Sequence, residues 1–103
     1  MIKNPEECSS MAEVRAGVDE VDAALVRLLD RRFGYMAAAA GIKGERGMVR
    51  DEARKAQVIA NVSRLASEAG LPAGLAPALW EMLVETSIAY ELALFDERSD
   101  RAA

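Results

Sequence analysis

Apolar side chains recur along the first part of the chain in alternating steps of three and four: Met11, Val14, Val18, Val21, Leu25 and Leu28, with Arg32, Tyr35, Ala39 and Ile42 continuing the series. Steps of this kind keep one face of an α-helix in line, and sustained over this length they make a heptad seam. Ser10 ahead of the seam and Glu13 three residues later are the two halves of a capping box, so the spacing predicts a helix from Met11 to about Ile42. Such a rod is on the order of 48 Å long, against ~26 Å for the width of a compact domain of this size. A helix that outruns its own domain needs a partner outside it.

Beyond Ile42 the pattern breaks. Gly41, Gly44 and Gly47 frame a loop over Glu45 to Met48. A second helix is predicted to start near Arg50 and Asp51, with acids Asp51 and Glu52 in its first turn. It carries Ala53, Ala56, Ile59, Val62 and Ala66 toward a core, and Gly70 closes it as a C-cap. Pro72 and Pro77 bracket the entry to a third helix, which presents Leu79, Met82, Leu83, Thr86, Tyr90 and Leu94 and runs to about Glu97. Residues 1–9 read as an N-terminal extension and residues 99–103 as a frayed tail. The fold class predicted is all-α: one three-helix domain over residues 1–103, with a long first helix.

Composition agrees and removes several kinds of chemistry. With 51% apolar, 29% charged and 5% aromatic residues, and few glycines and prolines, the chain suits helices better than a turn-rich β-sandwich. Histidine is absent and Cys8 is the only cysteine, so one chain supplies no His/Cys zinc set, no triad with a histidine base and no disulfide. Cys8, ahead of the first helix, reads as a spectator. Seventeen acids against thirteen Lys and Arg give a net charge of -4, which opposes a nucleic-acid or anionic-membrane surface. With no spanning stretch and no basic, apolar leader, the expectation is a soluble cytoplasmic protein.

The informative positions are polar residues where the periodicity asks for apolar ones. Arg32 occupies a seam position; its plain reading is an arginine that reaches for the surface or pairs with an acid such as Asp30 or Glu91. On the third helix, Ser87 and Glu91 sit in the stripe Trp80, Val84, Ser87, Glu91, Leu94. Ser87 alone could bond back to the preceding turn. Together they suggest a polar pocket within a bundle. Lys43 follows Arg32 by eleven residues, near three whole turns, which puts the two on one face ~16 Å apart with room between their heads for a small dicarboxylate. Arg15 stands ~25 Å from Arg32 on the same rod, so any contribution from it comes from a second copy. Lys43, Arg46 and Arg50 also make a basic Gly-rich loop, but it lacks the preceding strand and GK[ST] ending of a phosphate-binding loop.

In order and spacing, five pieces resemble the AroQ-type chorismate mutase family: Val14 to Asp22 with Arg15, Leu28 to Arg32, Ile42-Lys43, Val49-Arg50-Asp51 through Arg54, and Ser87 through Glu91. The resemblance covers nearly the whole chain. It implies an all-α intertwined homodimer acting on a dicarboxylate without cofactor or metal. Carried over residue by residue, it implies that Arg15 reaches across from the other subunit while Arg32 and Arg54 also serve the substrate carboxylates. Lys43 would face the ether oxygen and a carboxylate, Asp51 and Ser87 would line the pocket, and Glu91 would stand near the ether oxygen. Arg32, Lys43 and Glu91 are thus the implied catalytic residues, with Arg15, Arg54, Asp51 and Ser87 binding substrate.

One position departs from the pattern. Mutases place a Glu after the Arg54 position to hold the substrate hydroxyl, and here it is Lys55. The isochorismate pyruvate lyases, a branch of the same fold, also lack that Glu, and the opening Pro5 to Cys8 and Met11 to Arg15 resembles that branch too. The resemblance therefore implies rearrangement of chorismate to prephenate in aromatic amino acid biosynthesis, with cleavage of isochorismate to salicylate and pyruvate as the alternative. A non-catalytic helical dimerisation or regulatory module is the alternative from another class.

Overall fold

A computed structural model of the chain describes residues 2–102. They are helical, with no strand among them, and fall into two compact units, the first ending at Tyr35 and the second beginning at Met36.

In the first unit the opening segment forms a single 3₁₀ turn at Pro5–Glu7, entered from Asn4, whose N–H donates to Glu7 Oε1 at 3.2 Å. Helix α1 then runs over Met11–Ile42, the span that the heptad spacing and the Ser10 cap predict, and its residues from Met36 onward belong to the second unit. The N–H of Glu13 donates to Ser10 Oγ at 3.2 Å, one half of the capping box. The return bond lands one residue early, on the N–H of Ser9, which donates to Glu13 Oε1 at 2.9 Å. Lys3 adds an ion pair to the same carboxylate. These contacts, with Lys3 first, hold the Glu13 carboxyl well below its ordinary value, at about 2. The seam of α1 faces outward: Met11, Val14, Val18, Val21, Leu25 and Leu28 are all exposed, Leu28 to 62%.

In the second unit a short 3₁₀ turn at Arg46–Met48 leads to α2 over Glu52–Glu68 and α3 over Leu75–Ala102. Asp51 is the N-cap of α2 rather than its first residue, and its Oδ1 accepts the N–H of Arg54 at 2.9 Å. At the other end, the N–H of Leu71 reaches the carbonyl of Ala66 and that of Gly70 the carbonyl of Ser67, both at 3.0 Å. That is a Schellman closure, and it requires the positive φ of 75° that Gly70 adopts. Helix α2 packs along α3, where Val49, Val84 and Ile88 form a small core covered by Val58, Trp80 and Leu92.

Three expectations are corrected here. On α3 the apolar series from Leu79 is largely outside, with Leu79, Met82 and Tyr90 exposed, while Val84, Ser87 and Glu91 of the stripe that suggested a polar pocket are buried together with Ile88. Apolar residues surround α3, so periodicity alone does not select a face; contact with α2 and Val49 does. On α2, Ala53 and Ala56 are exposed, and Ile59, Val62 and Ala66 are half-buried, because the first turns of α2 lie beside charged rather than apolar side chains of α3. The expected frayed tail is helical as far as Ala102, with an Arg101–Glu97 pair at 2.6 Å across its last turn; Ala103 lies outside the described residues.

Candidate functional site

The second unit inverts the usual rule of burial. Glu91 is 4% exposed and Ser87 3%, both on the inward face of α3, whereas no large side chain among the described residues is fully buried. A carboxylate so placed needs a partner. Lys43, the residue that follows α1, supplies it: its Nζ donates to Glu91 Oε1 at 2.5 Å. Glu91 is therefore matched with Lys43. An ammonium has three donors, and one is spent on Glu91, which aims the head of Lys43 while leaving two protons for an anionic guest. Ser87 Oγ donates to the carbonyl of Leu83 at 2.6 Å, the local bond expected of a helical serine.

The other cations of the loop are also matched to α3. Arg46 grips Asp96 in a two-pronged pair, with Nε to Oδ1 at 2.9 Å and Nη2 to Oδ2 at 3.3 Å. Arg50 makes a similar pair with Glu85 and also reaches Glu52 at 2.7 Å. Lys55 joins this network, lying 2.8 Å from Glu81 and 2.9 Å from Glu85 with only 16% of its side chain exposed. Arg50 first, and then Lys55, hold the Glu85 carboxyl at about 2. These arginines tie the loop to α3 and do not present an open phosphate cradle.

The seven residues singled out from the sequence fall into two groups. Arg15 and Arg32 lie on α1 in the first unit, Arg15 exposed and Arg32 half-buried with contacts of its own. The remaining five belong to the second unit. Of these, Lys43 and Glu91 meet directly, and Ser87 lies one turn before Glu91 on the same helix. Asp51 serves as the α2 cap, and Arg54, exposed, donates from Nη1 to Gln57 at 2.6 Å. A cleft of about 460 Å³ beside the opening segment is lined by Cys8, Val14, Val18 and Val21 and contains none of the seven. Cys8 Sγ lies 3.5 Å from the carbonyl of Asn4.

One arginine was missed in the sequence. A side-chain carbon added at Gly41 would collide with Nη1 of Arg98 and stand 3.2 Å from its Cζ, so this guanidinium lies directly across the glycine. The signal available was spacing: Ser87, Glu91, Leu94 and Arg98 follow steps of four, three and four on one face of α3.

The family model for chorismate mutase type II matches residues 14–92, a span that includes all seven site residues. A protein of Pseudomonas aeruginosa named isochorismate pyruvate lyase is 30% identical over 91 residues, covering 88% of this chain and 90% of the relative. Both point to enzymes that act on chorismate-like substrates. The all-helical fold and this match over most of its length establish that the chain belongs to the chorismate mutase type II family.

Proposed function

We propose that the protein is a homodimeric chorismate mutase that rearranges chorismate to prephenate. The single observation that carries the reading is the Lys43–Glu91 pair, a fixed cation on a buried polar ledge of α3. In the rearrangement the ether C–O bond breaks as a C–C bond forms, with no nucleophile and no obligatory proton transfer. Acceleration then comes from holding the enolpyruvyl arm over the ring and from positive charge beside the oxygen that gains electron density. Lys43 provides that charge, Glu91 positions it, and Arg32 and Arg54 bind the two carboxylates. Asp51 and Ser87 complete the pocket, and Arg15 enters from the second copy.

Dimerisation is supported by the exposed heptad seam and by how little one chain buries alone. Joining two seams would remove each Leu or Val from water at a gain of about 1.5–3 kcal/mol per side chain. The site of action proposed is the cytoplasm, within aromatic amino acid biosynthesis; no helix among the described residues is long and apolar enough to cross a membrane.

A second reading, elimination of pyruvate from isochorismate, is favoured by Lys55. A cation locked between Glu81 and Glu85 cannot accept the hydroxyl hydrogen bond that a carboxylate at this position would take. The named Pseudomonas relative supports the same alternative. The test is direct: the purified protein is mixed with chorismate and, separately, isochorismate, following loss of the ultraviolet band and identifying products. Prephenate from chorismate supports the mutase; salicylate with pyruvate from isochorismate alone transfers the assignment to the lyase. Turnover of neither leaves a non-catalytic helical module.

A further inference from the structure

We infer that Arg98 is an additional substrate-binding cation of this site and that Gly41 is the gap that admits it. The inference rests on the proposed reading of the site, which it extends to a residue outside the matched span of 14–92.

Arg98 differs from its neighbours in having no acid. Among the described residues of the second unit, Arg54 bonds to Gln57, Arg98 makes neither hydrogen bond nor ion pair, and the remaining cations meet carboxylates. The acids next to it on α3 are engaged elsewhere, Asp96 with Arg46 and Glu97 with Arg101. A guanidinium without a counter-ion retains its full capacity for a two-pronged grip on a carboxylate.

Its placement is specific. Arg98 stands two turns beyond Glu91 on one face of α3, ~10 Å along the axis. Its head returns across Gly41, two residues before Lys43, and two residues of chain span at most about 7 Å. The head of Arg98 therefore lies against the last turn of α1, beside the chain that carries Lys43 to Glu91. Gly41 makes this possible by lacking a side chain in the last turn of a helix, where alanine is otherwise favoured. In a chain of net charge -4, an unneutralised arginine beside the ledge also draws an anion toward it.

The paired variants Arg98→Ala and Gly41→Ala test this. The far end of Arg98 is flexible, so a methyl group at position 41 displaces the guanidinium without breaking the helix. With whichever of chorismate and isochorismate the unmodified protein turns over, both variants are expected to raise KM about tenfold while kcat stays within about threefold. Arg98→Lys should recover part of the loss. Gly41→Ala should hold or raise Tm, which separates lost binding from damaged structure. A second readout is independent of turnover: millimolar malonate, a bare dicarboxylate, should raise Tm of the unmodified protein more than that of either variant. KM within twofold of the unmodified protein in both variants, or equal malonate shifts in all three, would overturn the inference. Turnover of neither substrate alongside an Arg98-dependent malonate shift would overturn the proposed function and leave Arg98 as an anion site.

Discussion

The seam of α1 and the ledge of α3 are mirror images in their exposure. On α1, Val21 is 58% exposed and Leu28 62%, side chains that water should drive inward; on α3, Glu91 and Ser87 are almost wholly buried, groups that water should draw out. Each region carries a cost that one copy of the chain does not remove. An exposed apolar stripe at heptad spacing is relieved by another helix of the same spacing. A buried carboxylate with a clamped lysine is relieved only in part by their mutual pairing, and the lysine protons left over fit an anionic ligand. The two anomalies call for different remedies, which the proposed function supplies as a second copy for one and a substrate for the other.

The largest effect should come from breaking the seam. Leu28→Asp places a charge in both halves of the proposed interface and removes two buried leucines per dimer, about 3–6 kcal/mol. Light scattering should show monomers and activity should vanish; a folded, active monomer would break the comparison at its first term. Next comes the charge on the ledge. Lys43→Ala and Arg32→Ala should each lower kcat by about 10²–10³, the cost of removing one preorganised donor at developing charge, with the helical circular dichroism retained.

A finer test separates positioning from charge. Glu91→Gln keeps an oxygen to receive Lys43 and should retain activity within about tenfold, whereas Glu91→Ala leaves the lysine unaimed and should lose more. Equal losses in both would mean that the negative charge of Glu91 is itself required. The smallest effect is on acid stability. Glu85 is held at about 2, below its ordinary value of 4.5, so its contribution is complete above about 4.5 and is lost as pH falls toward about 2. Tm should fall through that window, and Glu85→Gln should lower Tm at neutral pH while making the acid limb shallower.

Local signals were legible in the sequence and distant pairings were not. Ser10 and Glu13 gave the start of α1, Gly70 the end of α2, and the stripe of Ser87 and Glu91 the polar ledge, because each depends on residues within a turn or two. The partner of Glu91 was not legible, since Lys43 stands 48 residues away and α3 carries several acids that the loop cations could equally have chosen. The full inward face of α3 was only partly legible, because its apolar residues surround the helix and Leu79, Met82 and Tyr90 compete with the stripe that is buried. The helical end beyond Glu97 was missed because Ser99 and Asp100 are weak helix formers, a deficit that the Arg101–Glu97 pair helps to offset. Arg98 was overlooked because its significance depends on the missing side chain of Gly41, in another helix.

Mixing Arg15→Ala and Arg32→Ala chains tests whether two copies join along the seam and complete one another's pocket. If Arg15 serves the partner's pocket, each heterodimer holds one intact site and one site bearing both lesions. Two nearly inactive homodimers are expected, with heterodimers that have roughly half of the unmodified activity. Confirmed heterodimers no more active than either parent would contradict the shared pocket and confine both arginines to the same chain's site.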